Sequence, residues 1–163
     1  MKTLVIVWHS RTGAAHAMAE AAFEGARTES AVATRLLPAG QAEAADLIAA
    51  DGYIFAAPEN LAALSGAMKD FLDRAYYPAL GRLNGRPYAA LIAAGSDGQN
   101  AARQLARIAT GWRLRVVAEP LIVGTRAQTP EAILAPKTIA ADDRARCATL
   151  GATFAAGLAI GMF

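Results

Sequence analysis

The stretch VIVWHSRTGAAH, residues 5–16, contains the change of pattern that decides the fold. It opens with a β-branched, apolar run, which is typical of a strand covered on both faces. Small, hydroxyl-bearing and glycine residues follow, and alanines at helical spacing begin directly after them. The stretch therefore predicts a buried strand that passes through a short polar loop into the N-terminus of a helix.

Strand and helix patterns alternate along the rest of the chain. The predicted strands cover residues 3–8, 31–37, 52–57, 87–94 and 114–123. The helical patterns cover residues 15–26, 41–50, 65–75, 101–112 and 140–158. This βαβαβαβαβα order implies a parallel sheet with helices on both faces.

Local signals mark where several of these elements should begin or end. Pro58 is expected to end the third strand, and Ser65 is expected to cap the helix that follows it. The only long irregular stretch is 124–138, in which the sequence Thr-Pro-Glu at 129–131 predicts the start of a short helix.

Length and composition narrow the class of protein. The 163 residues correspond to one domain, 1–163, and a hydrophobic content of 55% is ample for its core. A net charge of +2 without a dense basic run argues against nucleic-acid binding. No apolar run reaches the roughly 20 residues that a membrane helix needs, and no signal-peptide pattern opens the chain. The single Cys147 fits a reducing compartment, so we expect a cytoplasmic protein without a membrane partner.

The loop after the first strand has the features of an anion site. Ligands of open α/β sheets bind beyond the carboxyl ends of the strands, and free N–H groups at a helix N-terminus favour an anion. Ser10 and Thr12 add hydroxyl donors, while Gly13, Ala14 and Ala15 allow the backbone to approach a ligand closely. The loop therefore predicts a phosphate site; the alternative is an ordinary β–α turn with a serine or threonine cap.

Other phosphate and metal motifs are absent from the sequence. It contains no G-x-G-x-x-G after the first strand, no G-x-x-x-x-G-K-[ST], and no cysteine in the loop that could act as a nucleophile. No His, Cys or Asp cluster has metal-ligand spacing, so no metal is expected. Dinucleotide-binding, ATPase and cysteine-phosphatase functions are therefore disfavoured.

Two further loops should meet the first one at the same edge of the sheet. Residues 57–66, APENLAALSG, follow the third strand, and residues 95–100, GSDGQN, follow the fourth. A ligand with a phosphate at one end and a flat polar ring at the other would fill the space between the three loops.

These residues carry a resemblance to a known family. The segment PENLAALSGAMKDFLDR, 58–74, has the pattern P-x-x-x-x-x-x-S-G-x-M-K-x-F-x-D, and Ser10, Thr12 and Gly13 match the phosphate loop. The chain resembles the NAD(P)H-dependent FMN and quinone reductases of the flavodoxin-like fold, including the tryptophan-repressor-binding-protein type. The resemblance implies a three-layer sandwich with a five-stranded parallel sheet of order 2-1-3-4-5, FMN as the cofactor, and NADH or NADPH as electron donor.

The resemblance also implies which residues hold FMN. Residues 10–16 should bind the phosphate, residues 59–61 should border the isoalloxazine ring, and residues 95–98 should line its pyrimidine side. The expected cofactor-binding residues are Ser10, Arg11, Thr12, Gly13, Ala14, Ala15, His16, Pro58, Glu59, Asn60, Leu61, Ser65, Gly95, Ser96, Asp97 and Gly98. The chain departs from the family's quinone reductases at Asn60 and Leu61, where an arginine and an aromatic residue are usual, and in its shorter third loop.

The expected activity is reduction of a quinone, a flavin or a similar small acceptor by ping-pong hydride transfer. The cofactor would carry this chemistry, so no catalytic side chain is assigned. Neither flavin loop contains an aromatic residue, which would leave one ring face open unless Tyr76, Tyr77 or Trp112 closes it. The alternatives are a flavodoxin-type electron carrier and a non-catalytic flavin-binding sensor. Alanine-rich helices and an apolar C-terminus favour a homo-oligomer, a dimer or tetramer.

Overall fold

The computed structural model describes all 163 residues and arranges them around one sheet. Its strands are β1 (Lys2–Trp8), β2 (Val32–Pro38), β3 (Gly52–Asn60), β4 (Ala63–Leu64), β5 (Pro87–Ala94), β6 (Arg115–Val116) and β7 (Leu121–Gly124). Its helices are α1 (Ala14–Ala26), α2 (Ala44–Ala49), α3 (Gly66–Ala79), α4 (Gln99–Gly111), α5 (Pro130–Leu134) and α6 (Ala141–Ala159).

The sheet has the order β2-β1-β3-β5-β6, and these neighbours pair in parallel. Two short strands lie off this path, because β4 pairs antiparallel with β3 and β7 pairs parallel with β5. The expectation of an α/β fold with a parallel sheet and helices on both faces is confirmed. The expectation of five strands was wrong, since the sheet contains seven.

The predicted strand 114–123 is one of the two places where the count differs. The residues that pair with Tyr88 and Leu91 of β5 are Val116 and Leu121, so three steps along β5 correspond to five along its partner. The two extra residues form a break between β6 and β7, where Pro120 has no N–H to donate to a ladder. The single predicted strand is therefore two short strands in the structure.

The other difference lies at the end of β3. Pro58 does not end this strand, as the sequence had predicted; it pairs with Ala93 of β5, and β3 continues to Asn60. The chain then turns back through Leu61 and Ala62 into β4. Part of the predicted loop 57–66 is therefore a small hairpin made of the end of β3 and β4.

Two apolar layers bury the sheet on both faces. The alternating residues of β1 divide between them: Val5 and Val7 face the layer that includes α2, α3 and α4, whereas Leu4 and Ile6 face α1 and α6. Helices α1 and α6 pack so closely that a Cβ at Gly25 or Gly151 would collide with the backbone of the other helix. The two glycines therefore allow α6 to pack closely on α1, the helix that follows the predicted phosphate loop.

The length and composition of the helices are relevant to the expectation that no helix crosses a membrane. The longest of them, α6, carries charged residues at 142–144 and 146. None of the helices combines the length and the apolar composition that crossing a membrane requires.

Candidate functional site

The three predicted loops converge at the carboxyl edge of the parallel strands and form an open cleft of about 450 Å³. One side comes from the loop before α1, a second from the β3–β4 hairpin, and a third from the residues after β5. The lining residues are Ser10, Arg11, Thr12, Ala14, Ala15, Pro58, Glu59, Asn60, Leu61, Ala62, Ala93, Ala94, Gly95, Ser96, Thr125, Ala127, Ile133, Leu134 and Lys137. The convergence expected from strand order is thus present.

The loop before α1 presents an unusual number of free amide donors. The N–H of Gly13 donates to Ser10 Oγ at 3.0 Å, and helical bonding starts only with Ala17, which donates to the Gly13 carbonyl at 2.9 Å. The N–H groups of residues 10–12 and 14–16 donate to no protein acceptor. Six donors are therefore available at one end of the cleft, at the positive end of a helix dipole.

Gly13 has a steric reason to be glycine. Its φ is +116°, and a Cβ there would lie 2.8 Å from the carbonyl oxygen of Lys137. The N–H of Lys137 donates to the carbonyl of Thr12 at 2.6 Å. The loop thus adopts its shape against a segment that follows it by more than a hundred residues, and Gly13 supports the cleft from behind rather than lining it.

Glu59 joins the second loop to the third. Its carboxylate accepts hydrogen bonds from the N–H groups of Gly98, at 2.9 Å, and Ala101, at 3.0 Å, and so caps the N-terminus of α4. Of the four N–H groups at residues 95–98 that were expected to face the ring, Gly98 is therefore already engaged. The N–H groups of Gly95, Ser96 and Asp97 have no protein acceptor.

The β3–β4 turn places an apolar side chain at the mouth of the cleft. Leu61 and Ala62 have φ values of 50° and 60°, the left-handed conformation that a two-residue type I′ hairpin turn requires. The side chain of Leu61 is fully exposed. Gln104 and Asn100 of α4 hold the hairpin by hydrogen bonds to the Leu64 N–H, at 2.7 Å, and to the Ala62 carbonyl.

Ser65 and His9 form a pair behind the cleft instead of serving a ligand directly. Ser65 is wholly buried at the start of α3, where its hydroxyl makes no capping bond and lies 2.8 Å from His9 Nδ1. Burial, together with the positive charge of Arg11, lowers the pKa of His9 below that of an exposed histidine. Ser65 stands at the predicted N-cap position of α3, but the expectation that its side chain caps the helix was wrong, because the hydroxyl bonds to His9 instead. Its contact with the cofactor stays a prediction.

Two other predicted contacts also lie outside the cleft lining. The ring of His16 stacks at 4.0 Å on Trp8, and His16 Nε2 lies 3.6 Å from a carboxylate oxygen of Glu20. Asp97 is exposed and is not among the residues that line the cleft. The backbone N–H groups of His16 and Asp97 have no protein acceptor, and the contact of either residue with the cofactor stays a prediction.

The aromatic residues considered for closing the site lie elsewhere in the chain. Tyr76 and Tyr77 stand in the last turns of α3, and Trp112 follows the end of α4, so all three lie toward the amino ends of the strands. Trp112 is buried and donates its indole N–H to the Tyr76 carbonyl at 3.3 Å. No aromatic residue lines the cleft.

Sequence reasoning missed one whole wall of the cleft, formed by residues 125–138. The segment begins where the Thr125 N–H donates to the Ala94 carbonyl at 2.7 Å and ends at Lys137 beside the first loop. The predicted short helix is present as α5, with Thr129 Oγ1 accepting from the Ala132 N–H at 3.2 Å. The length of this irregular stretch was a signal in the sequence that it has a role at the site. Its path across the site was not predictable, because its contacts are with residues distant in the sequence.

Comparison with known proteins agrees with this geometry. The family model described as NADPH-dependent FMN reductase matches residues 10–128, which include all three loops. A flavodoxin from Aquifex aeolicus (strain VF5) is 31% identical over 98 residues, which make up 60% of this chain and 53% of that protein. The aligned part therefore spans about half of that flavodoxin's length.

Solved structures share the fold at low sequence identity. A flavodoxin from the domain Archaea superposes with a TM-score of 0.77 at 18% identity, covering 96% of this chain and 98% of that one. A flavodoxin-type, WrbA-like protein from Agrobacterium tumefaciens gives 0.73 at 21% identity, covering 99% of both chains. A flavodiiron protein from Giardia intestinalis gives 0.78 at 19% identity, covering 99% of this chain and 37% of that one. The flavodoxin-like fold is thereby confirmed.

Proposed function

The chain belongs to the NADPH-dependent FMN reductase family, and from this premise we propose that it binds FMN in the cleft and reduces a small acceptor with NADPH or NADH. The observation that carries the proposal is the set of six unpaired N–H groups at residues 10–12 and 14–16. Such a set at a helix N-terminus suits a phosphate dianion.

The remaining dimensions of the cleft suit the rest of FMN. The cleft continues from the phosphate end between the hairpin and residues 93–96, with alanines at 93 and 94 that leave room for a flat ring. Its volume of about 450 Å³ lies in the range of ordinary cofactor sites. We therefore assign the phosphate to residues 10–16 and the ring to the space between Asn60 and Ser96.

FMN supplies the hydride chemistry when it is bound, so the chain's own residues orient and stabilise it. The free N–H groups of Gly95, Ser96 and Asp97 are positioned to donate to the ring's polar edge, where negative charge builds up on reduction. Glu59 would add opposing negative charge if it were unpaired, but its two hydrogen bonds direct the carboxylate toward α4.

Two observations favour a reductase over a one-electron carrier. No aromatic side chain lines the cleft, so a ring bound there keeps a face accessible to a second planar molecule. Arg11 and Lys137 are the lining cations and Glu59 is the single lining carboxylate, a balance that suits anionic nucleotides. The carrier remains the second candidate, because the Aquifex aeolicus relative is named a flavodoxin.

Anaerobic mixing of the FMN-loaded protein with NADPH tests the proposal. The reductase predicts rapid and complete loss of the flavin's visible absorbance, followed by its return when a quinone or free flavin is added. The carrier predicts negligible bleaching by NADPH while dithionite still reduces the bound flavin. The same trace with NADH measures the preference between the two nucleotides.

A purified protein that neither carries FMN nor acquires it on dialysis against excess FMN would overturn the assignment of the cleft. Reduction by dithionite alone would overturn the reductase and leave the carrier. A flavin that neither reagent reduces would point to the sensing role.

A further inference from the structure

Lys137 lines the cleft beside the loop before α1, although it comes from a distant part of the chain. Its backbone N–H donates to the Thr12 carbonyl at 2.6 Å, and its own carbonyl lies against Gly13. The residue lines the same cleft as Arg11 and Thr12. The peptide of Lys137 is therefore fixed to the loop that carries the free N–H groups.

The charge of Lys137 is not neutralised within the protein. Its Nζ donates to the carbonyl oxygens of Ile133, at 3.0 Å, and Ala135, and makes no ion pair with a carboxylate. An ammonium group has three N–H donors, so one remains available to a ligand. The lining carboxylate of Glu59 is bonded to the start of α4 and lies with the other loops.

We propose that Lys137 binds the phosphate of the flavin and makes the site selective for FMN over riboflavin. This inference rests on the proposed function, because it assigns a second contact to the phosphate that residues 10–16 hold. A dianion beside a helix N-terminus and an ammonium group gains a charge-assisted hydrogen bond that a neutral hydroxyl cannot make to the same extent. Lys137 thus distinguishes the two flavins by charge alone.

The segment 125–138 explains how a remote lysine acquires this role. Its first residues are tied to the third loop, through the Thr125 N–H on Ala94 and the Gln128 side-chain amide on the Gly95 carbonyl at 3.3 Å. Near its other end, Lys137 is bonded to the first loop through the Thr12 carbonyl. The segment therefore crosses the cleft from the residues after β5 to the loop before α1. Its hydrogen bonds fix the backbone of Lys137 beside that loop.

Equilibrium dialysis of the unliganded protein against FMN and, separately, against riboflavin measures this selectivity. We expect Lys137→Gln to weaken FMN binding roughly 10- to 100-fold, the loss typical of one charge-assisted hydrogen bond. Riboflavin binding should change less than about twofold, because riboflavin presents no phosphate. Lys137→Arg should restore most of the FMN affinity, since it restores the charge.

Lys2→Gln is the matched control, because it removes one lysine charge at the opposite edge of the sheet. It should leave the ratio of the two affinities unchanged. Equal weakening of FMN and riboflavin in Lys137→Gln would overturn the inference and assign Lys137 to holding α5 alone; unchanged FMN binding would also overturn it. If the unaltered protein binds neither flavin, the proposed function fails together with this inference, whereas normal FMN binding with no effect of Lys137→Gln removes only the inference.

Discussion

The two edges of the sheet use polar groups in opposite ways. At the amino edge, Nη1 of Arg86 lies 2.6–3.0 Å from the carbonyl oxygens of Leu47, Ile48 and Ala50 and from the Tyr53 hydroxyl. This one guanidinium ties α2 to β3, although the four residues are separated from it by more than thirty positions. Asp51 at the same edge accepts from the Thr3 N–H at 2.8 Å and pairs with Lys2.

At the carboxyl edge, donors are left over instead. Six N–H groups of residues 10–12 and 14–16 and three of residues 95–97 have no protein acceptor. The β3–β4 turn there adopts left-handed backbone with Leu61 and Ala62, which are poor residues for it, and it exposes the leucine completely. Donors without a protein acceptor, a strained turn and exposed apolar surface therefore occur together at this edge of the sheet.

This difference teaches which edge stabilises the fold and which one is reserved for a ligand. Polar groups that are paired within the chain lower the free energy of the folded state, whereas donors left to solvent contribute nothing to it and strained turns raise it. They persist at functional sites because a ligand completes them. Changes at the amino edge should therefore affect stability without affecting flavin binding, whereas flavin binding should respond to changes at the carboxyl edge.

Arg86→Met should cause the largest loss of stability among changes at the amino edge. Removing the guanidinium takes a donor away from the carbonyls of Ile48 and Ala50, whereas the Leu47 carbonyl keeps the Tyr53 hydroxyl. We expect the free energy of unfolding to fall by about 2–4 kcal/mol. Urea denaturation measures this loss, and dialysis should show unchanged FMN affinity in the folded protein. Arg82→Met, exposed and without a side-chain hydrogen bond, should cost less than about 0.5 kcal/mol. Equal losses in both variants would contradict the role assigned to Arg86.

Thr12→Asp is the corresponding break at the carboxyl edge. A carboxylate about 4 Å from the phosphate would oppose it by about 1–4 kcal/mol, so FMN affinity should fall roughly 5- to 1,000-fold. Thr12→Asn, similar in size but uncharged, should retain most of the affinity. Flavin occupancy after purification, read from visible absorbance, compares the two variants. Full occupancy in Thr12→Asp would remove the phosphate from this loop.

Leu61→Asn tests whether the left-handed backbone of the β3–β4 turn costs stability. Asparagine tolerates left-handed backbone and Leu61 buries no side chain, so we expect the protein to gain about 0.5–1 kcal/mol in unfolding free energy while flavin binding weakens a few-fold. Arg113→Asn is a matched control at the amino edge, since Arg113 also has a positive φ, 56°. It should be stabilised without any change in flavin affinity. A destabilised Leu61→Asn would show that the leucine contributes packing.

The smallest expected effect is a pH dependence from His9. Its pKa is lowered in the folded chain, chiefly by burial and also by Arg11, so the unfolded chain takes up a proton at a higher pH than the folded one. Stability should therefore decline as the pH falls below about 6.5, the ordinary histidine value. His9→Gln should make the decline between pH 7 and 5 shallower, and Arg11→Gln should do so in part. Identical slopes in all three proteins, measured by urea denaturation, would contradict this account.

Most of the fold was predictable because it follows from local periodicity. The continuous apolar pattern of 3–8 and 87–94 defines strands covered on both faces, and the helical spacing in between defines the layers that cover them. Errors arose where pairing partners decide the outcome. Pro58 remained inside β3 because Ala93 pairs with it, and 114–123 broke at Pro120 because two extra residues had no partner in β5.

The site was predicted in part for the same reason. Ser10, Thr12 and the residues around Leu61 line the cleft as expected, since loops after adjacent parallel strands must meet. His9 and Ser65 are 56 positions apart, and no sequence pattern indicates that the serine hydroxyl is already bonded. Glu59 and Gly98 are 39 positions apart, which likewise concealed the cap on α4.

The amino-acid sequence by itself determined the alternation of strands and helices, the glycine-containing loop at the start of α1, and hence the edge of the sheet where a phosphate can bind. Each of these depends on residues within a few positions of one another. The tertiary structure alone decided which polar groups at that edge remain free, and it placed Lys137 beside Thr12 and Gly13. Hydrogen-bond partners and charge neighbours come from distant segments, so only the packed chain fixes them.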